Sequence, residues 1–211
     1  RWRPEQGLLL IEQRPRATDE DSRISASEAQ LLQQTNDLTL KGVVLLERWS
    51  GDAGPSRPDT TLRTGLAQWN LDSGLLNADG PVLAQRRDSE GTVLEQLRGR
   101  GLQGNTQVGD LMVKAPVVVR MPRQEGVLKA LDTTWNFRTQ TVRSAQPFEA
   151  ELGKTRIDGR GFQAELEKST VVVNGDCRIQ QPGESLSAQT CQWNWGTEAV
   201  LAEGNVQLRR D

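Results

Sequence analysis

The stretch Thr170-Val171-Val172-Val173-Asn174-Gly175-Asp176-Cys177-Arg178-Ile179 indicates how this chain folds. Apolar residues occupy every second position on both sides of a central Asn-Gly-Asp. A period of two is typical of a β-strand with one buried face, and Asn-Gly steps favour tight turns. The stretch therefore predicts two short strands joined by a turn.

The same period of two recurs along the chain, and turn-forming clusters of Gly, Pro, Asn and Asp separate the alternating segments. No long run keeps apolar residues at the helical spacing of i, i+3, i+4 and i+7. We therefore predict an all-β chain of about a dozen or more short strands. The clearest segments are residues 67–71, 76–84, 111–119, 131–137, 142–152, 171–179 and 206–208.

Length and composition exclude several classes of function. The 211 residues leave room for one large β-domain or two small ones. A net charge of −2 supplies no basic excess to hold a phosphate backbone, so we expect no nucleic-acid partner. The chain has no histidine, which removes the commonest general base and the Ser-His and Cys-His nucleophile pairs. We expect no enzymatic activity, no metal and no cofactor.

A pair of carboxylates of the glycosidase type is the catalytic option that needs no histidine. The acidic residues fall mainly in turns or on polar strand faces, where a solvated surface is the expected explanation. They include Asp72, Asp79, Asp88, Glu90, Asp110, Asp132 and Asp158.

Two short motifs repeat along the chain. The pair Trp-Asn occurs at Trp69-Asn70, Trp135-Asn136 and Trp193-Asn194. Between these pairs, Gly99-Arg100-Gly101-Leu102-Gln103 returns as Gly159-Arg160-Gly161-Phe162-Gln163 after an offset of 60 residues. A hairpin with one apolar face cannot bury that face alone, whereas stacked hairpins share a continuous interior. The repeats predict a jellyroll-like sandwich or a solenoid of stacked hairpins.

The two cysteines flank a turn-like segment. Residue 184 is midway between Cys177 and Cys191, so a hairpin folded about Glu184 brings the two opposite each other. Antiparallel neighbours lie within the Cα separation that a disulfide accepts. A cross-hairpin disulfide, and with it an oxidising compartment, is one interpretation. Two small buried thiols are the other.

Three stretches resemble the OstA-like β-jellyroll of the lipopolysaccharide transport proteins, with LptC as the best match. They are Leu38-Thr39-Leu40-Lys41-Gly42-Val43-Val44-Leu45, Leu201-Ala202-Glu203-Gly204-Asn205-Val206-Gln207-Leu208, and Gly161-Phe162 with the following Val171 to Gly175. The resemblance implies an elongated antiparallel β-jellyroll, a V-shaped sandwich of stacked hairpins. The chain has more repeats than one short jellyroll needs, which leaves room for two fused jellyrolls.

The resemblance also implies an organisation and a location. Residues 1–22 are expected to form an N-terminal strand or linker, and residues 23–211 the jellyroll repeats, with a subdivision near 120–130. The location implied is the periplasm, with anchoring to the inner membrane by an N-terminal helix absent from this chain.

The implied function is the relay of lipopolysaccharide. Lipid A acyl chains would lie in the apolar groove, received from the inner-membrane ABC transporter. They would be passed to an LptA-like bridge protein or to the outer-membrane translocon. The groove residues predicted to bind lipid are Trp69, Leu71, Val82, Val113, Val117, Trp135, Phe137, Phe148, Phe162, Val171, Val173 and Trp193.

Charged groups and open strands complete the predicted site. Arg100, Arg143 and Arg160 are candidates for the lipid A head group, because guanidinium groups bind phosphate in bidentate fashion. Val206, Gln207 and Leu208 are the candidate docking edge, through which a bridge protein or a second copy of the chain could pair. Two rival functions remain at this point. The tryptophans could face outward and stack on carbohydrate, or the array could be a purely structural sandwich or solenoid with a packed interior.

Overall fold

The computed structural model describes residues 1–18, 20–49, 54, 56–114 and 116–210. Within these ranges every strand pairing is antiparallel, and two single 3-10 turns, Pro4–Gln6 and Pro122–Gln124, are the helical elements. The all-β, antiparallel fold predicted from the alternation is thus confirmed. No described helix is long and apolar enough to cross a membrane.

The chain divides into two compact units, Arg1–Val108 and Gly109–Asp211. Residues 120–130, where the sequence placed a subdivision, instead form the end of one strand, a turn and the next strand inside the second unit. The segment expected as an N-terminal strand or linker, residues 1–22, holds three strands and the first residue of a fourth within the first unit.

The described part of the first unit has nine strands. They are β1 (Trp2–Arg3), β2 (Leu8–Ile11), β3 (Arg16–Thr18), β4 (Ser22–Ser25), β5 (Glu28–Leu32), β6 (Asp37–Arg48), β7 (Thr60–Asn70), β8 (Leu75–Arg87) and β9 (Val93–Asn105). The first half of β6 pairs with β5 and its second half with β4, so the sheet splits into two branches. The β5 branch adds β1 and β2, and the β4 branch adds β3. Strands β7, β8 and β9 run through both branches.

The described part of the second unit has twelve strands. They are β10 (Asp110–Val113), β11 (Val117–Met121), β12 (Gly126–Ala130), β13 (Thr133–Asn136), β14 (Thr141–Leu152), β15 (Thr155–Glu165), β16 (Thr170–Val173), β17 (Cys177–Gln181), β18 (Glu184–Ala188), β19 (Thr190–Asn194), β20 (Ala199–Glu203) and β21 (Gln207–Arg210). Strands β14 and β15 run through both branches. The β12 branch adds β11, β17, β18 and β21, whereas the β13 branch adds β10, β16, β19 and β20.

The inner faces of the two branches meet in the second unit. Phe148 on the β12-branch half of β14 contacts Phe162 on the β13-branch half of β15, with ring centroids 4.9 Å apart in an edge-to-face arrangement. Both side chains are buried, and Val173 is buried in the same cluster. Edge-to-face aromatic pairs add about 0.5–1.5 kcal/mol beyond the burial of their area. We call this meeting line of the two branches the seam.

Each long strand that passes from one branch to the other changes register at the seam. The pairing of β14 with β15 is interrupted between Ser144 and Pro147, and Gly161 opposite has a φ of +71°. Residues with a side chain rarely adopt that backbone conformation, which explains why the second glycine of the repeated Gly-Arg-Gly motif is needed. The first glycine, Gly159, packs so closely that a methyl group there would lie 2.5 Å from Val173 Cγ1.

Cys177 and Cys191 form a disulfide, with Cα atoms 5.9 Å apart. The cross-hairpin geometry predicted from the sequence is wrong, because the hairpin turn lies at residues 182–183 and Cys177 pairs with Ala188. Cys191 lies one strand later, in β19, opposite Val173. The bond therefore joins the β12 branch to the β13 branch at the seam, and both residues are buried in the core of the second unit.

Replacing both cysteines by alanine should destabilise the second unit by about 3 kcal/mol, the loop-closure contribution of a disulfide that closes a loop of about 15 residues. Urea-dependent hydrogen exchange, followed on peptides from each unit, measures this loss, and peptides from residues 1–108 are the internal control. A reductant should leave the double-alanine variant unchanged. Two titratable thiols in the unfolded, unreduced wild-type chain would contradict the bond.

The close approach at Gly159 predicts a second difference. Gly159→Ala should cost about 1–3 kcal/mol, because the new methyl group meets Val173 and also lies 2.9 Å from the carbonyl oxygen of Gly175. Gly175→Ala is the matched control. Its methyl group would be 3.5 Å from the nearest atom, Arg160 O, so its free energy of unfolding should stay within about 0.5 kcal/mol of wild type. Equal unfolding free energies for the two variants would disprove the packing argument.

Candidate functional site

An apolar stripe crosses the inner face of the β13 branch. It consists of residues that are direct partners on seven successive strands, and most of them are half-buried. At one end Leu111 is 2% exposed, whereas at the other Val200 is 44% exposed. The stripe is Leu111, Trp135, Val142, Ala164, Val171, Trp193 and Val200.

A matching stripe crosses the inner face of the β12 branch. It also spans seven strands through direct partners, and its exposure again rises towards the last strand, where Leu208 is 51% exposed. Its members are Val119, Leu128, Ala150, Ile157, Ile179, Leu186 and Leu208. The two stripes lie on either side of the seam, and residues of both pack into one hydrophobic cluster in the second unit. We call the apolar interior between the two stripes the groove.

The first unit repeats the arrangement with one difference. The inner face of its β5 branch carries the stripe Trp2, Leu9, Leu31, Leu38, Trp69 and Leu76. The inner face of its β4 branch carries Ile24, Leu46, Leu62, Ala84 and Leu97. One step further from the seam, the β4 branch is polar: Ser22, Arg48, Thr60, Arg86 and Glu95 are successive partners.

That polar row is a feature that the sequence reasoning missed. Arg86 donates two hydrogen bonds to Glu95, of 2.6 and 2.7 Å, and both side chains are largely shielded from solvent. Arg48 donates from Nε and a terminal nitrogen to one oxygen of Asp21. The residues continue the two-residue period of Leu46 and Ala84, and this register is the signal that could have placed them on the inner face.

The predicted groove residues fall into three groups. Trp69, Trp135, Val171 and Trp193 lie on the inner stripes, half-buried, where a ligand can reach them. Leu71 lies in the turn after β7, 40% exposed, and Phe137 lies in the turn after β13, with its ring 6.2 Å from that of Trp135. The third group is at most 5% exposed and fills the interior near the seam, so these side chains support the groove without lining it. They are Val82, Val113, Val117, Phe148, Phe162 and Val173.

The Trp-Asn repeat has a structural explanation. In all three pairs the tryptophan belongs to an inner stripe. The asparagine is the last residue of the same strand and directly precedes a turn. The Asn70 side-chain oxygen accepts a hydrogen bond from Ser73 N, that of Asn136 from Thr139 N, and that of Asn194 from Thr197 N. Asparagine side chains close turns of this kind by bonding backbone N–H groups a few residues later. The asparagine thereby orders the end of the strand that carries the tryptophan.

The amide groups of the same asparagines bond back across the sheet. Asn70 Nδ2 donates to Asp37 Oδ1 at 2.8 Å, and Asn136 Nδ2 donates to Asp110 Oδ1 at 2.9 Å. The pKa of Asp37 is lowered, first by the hydrogen bond from Thr35 and next by that from Asn70. Since folding favours the carboxylate, Asp37 adds stability above its ordinary pKa of 3.8. That contribution is lost as the pH falls through the lowered folded value.

None of the three predicted head-group arginines lies on an inner face. Arg143 pairs with Asp110 at 2.7 Å, and it alternates with Val142 and Ser144, which face inward. Arg100 and Arg160 stand between the two glycines of the Gly-Arg-Gly motif, and both are exposed. They follow the register shift at the seam, and their role at the lipid A head group stays a prediction.

Arg160 instead borders an open hollow of about 600 Å³ at the outer side of the second unit. The hollow contains three basic and three acidic side chains. Arg160 pairs with Asp176 at 3.2 Å, and Arg178 pairs with Asp158 at 2.7 Å. Balanced charges leave no net attraction for a phosphate group. Among the described residues, no group of three or more metal-ligating side chains is positioned to hold an ion.

Comparison with known proteins gives a likeness of fold. No protein-family model matches the chain, and no curated protein matches it in sequence. A solved structure that is similar is LptH of Pseudomonas aeruginosa, described as the LptA homologous periplasmic component of the conserved lipopolysaccharide transport device. The TM-score is 0.50, the sequences are 14% identical, and the match covers 56% of this chain and 94% of LptH. At this identity the likeness establishes a shared β-jellyroll fold.

Proposed function

We propose that this chain is a non-enzymatic lipid carrier of the lipopolysaccharide transport system. The observation that carries the proposal is the pair of apolar stripes in the second unit, each crossing seven strands and ending in a side chain that is about half exposed, Val200 on one and Leu208 on the other. Acyl chains laid between the stripes would be stabilised by about 25 cal/mol per Å² of apolar area removed from water. Binding of this kind needs area and no catalytic group.

We place this activity in the periplasm. The buried disulfide suits an oxidising compartment, and the fold shared with a periplasmic transport component supports the same location. The partners we propose are lipopolysaccharide, the inner-membrane ABC transporter, and a bridge protein or outer-membrane translocon. An LptC role with an inner-membrane anchor is the finer proposal. The likeness to an LptA homologue supports the bridge family without favouring LptC.

The rival carbohydrate-binding function has less support. Stacking on sugars requires aromatic rings on an outer surface, but Trp69, Trp135 and Trp193 lie on the inner stripes. The rival structural role requires a fully packed interior. Val200 and Leu208, which end the two stripes of the second unit, are about half exposed, so the interior is not fully packed there.

Photocrosslinking tests the lipid proposal by comparing neighbouring residues that lie on opposite faces of the same strand. Benzoylphenylalanine at Val171, on the inner stripe, should form an adduct with lipopolysaccharide. At Val172 it should not, because Val172 lies on the other face between Gln163 and Gln192. Leu38 and Thr39 give the same comparison in the first unit. No adduct from either inner position in cells that export lipopolysaccharide would refute the carrier function, and equal adducts from both faces would refute the groove.

We further propose that β21 is a docking edge. In the part of the chain that the structure describes, β21 pairs with β18 alone, so its other edge can accept a strand. Gln207 and Leu208 belong to this strand, whereas Val206 lies just before it. A partner strand added here would extend the stripe that ends at Leu208.

Proline substitutions test this edge, because successive N–H groups of a strand point to opposite sides. Of Gln207→Pro and Leu208→Pro, one removes an N–H group that donates to β18, and the other removes an N–H group on the unpaired edge of β21. The variant that keeps the wild-type melting temperature should lose most of its affinity for an LptA-like bridge protein. Unchanged affinity in that variant would exclude β21 as the docking strand.

A further inference from the structure

We infer that Trp69 and Trp135 recognise the acyl carbonyl groups of the ligand, donating their indole N–H groups to them. The groove would thus prefer lipids whose chains are joined by ester or amide bonds over lipids with plain alkyl chains. This inference rests on the proposed carrier function and names the chemical feature that the groove selects.

The primary observation is a buried donor without an acceptor in each unit. The Nε1 atoms of Trp69 and Trp135 are inaccessible to solvent, and neither has a hydrogen-bond partner in the described part of the chain. A buried donor that stays unpaired costs about 1–3 kcal/mol, and few such groups occur in native proteins. The two occur at the same position of the Trp-Asn repeat, one in each unit.

The direct strand partners of the two tryptophans are apolar. The direct strand partners of Trp69 are Leu38 and Leu76. Those of Trp135 are Leu111 and Val142. A buried water needs two to four polar partners, which this apolar row does not supply. An acyl chain that enters between the stripes and displaces the side chains covering the indoles would bring a carbonyl acceptor to these donors.

Trp193 provides the internal comparison. It occupies the same position of the third Trp-Asn pair, between Val171 and Val200, but it does not bury an unpaired N–H. Trp193 thus shares the stripe position of Trp69 and Trp135 but has no buried, unpaired N–H group. A donor that is not left unpaired only exchanges one hydrogen-bond partner for another when it binds a carbonyl, so loss of the indole at position 193 should change mainly the contact area.

The first measurement compares two synthetic lipids that differ only in their linkage. Diacyl phosphatidylglycerol and its dialkyl-ether counterpart of equal chain length are titrated against wild type, Trp69→Phe, Trp135→Phe and Trp193→Phe. For the diacyl lipid, we expect Trp69→Phe and Trp135→Phe to lose about threefold to tenfold in affinity beyond the loss caused by the smaller ring, which is the range for one neutral hydrogen bond. For the ether lipid, we expect only the loss caused by the smaller ring. Trp193→Phe should affect both lipids equally.

The second measurement needs no substitution and covers the case in which a variant folds poorly. Indole N–H resonances of the wild-type chain are followed by ¹⁵N spectroscopy. Those of Trp69 and Trp135 should move downfield when the diacyl lipid binds and should not do so with the ether lipid, because only the diacyl lipid has carbonyl acceptors.

The outcomes separate this inference from the carrier function. Binding of both lipids with equal losses in every variant and no linkage-dependent shift would overturn carbonyl recognition while leaving the carrier function intact. Failure of wild type to bind either lipid or lipid A would overturn both.

Discussion

The change of register at the seam is the constraint on which the groove of each unit depends. A strand that continued straight would keep its apolar side chains on one sheet face, and the two branches would never oppose their inner faces. The interruption between Ser144 and Pro147, opposite the left-handed Gly161, bends β14 and β15 so that each contributes to both branches. The contact of Phe148 with Phe162 and the disulfide between the branches then hold the bend closed.

The same bend explains which predictions succeeded. Within a straight segment, alternation alone assigns a side chain to a face, and it correctly placed Trp135, Val171 and Trp193 on the inner side. At the bend an extra residue changes which face the following side chains occupy. A pattern of period two does not show where that extra residue lies. Arg100 and Arg160 follow glycines at such a reset, so alternation alone does not assign their side chains to a face of the sheet.

Sequence also could not separate lining from support. Val173 and Val171 look alike as alternating valines, but Val173 packs at the seam against Phe162 and Gly159, whereas Val171 lies one step further out. Distance from the seam is a tertiary quantity, since it depends on which strands cross between branches. The cysteines show the same limit. Symmetry about residue 184 suggested that they could pair, but the strands that they join follow from a turn at residues 182–183.

Exposure along the stripes distinguishes the two ends of the second unit's apolar interior. Leu111 and Val119 at one end are buried, whereas Val200 and Leu208 at the other are about half exposed. The stripes are exposed mainly at their last strands, so a second sheet added there would cover apolar area that is now in contact with water. Strand addition at β20 or β21 would therefore also extend the proposed lipid path. The proposed docking edge and the proposed lipid site would thus be two parts of one surface. Changing the register of β21 by a single residue would turn Leu208 outward and interrupt both.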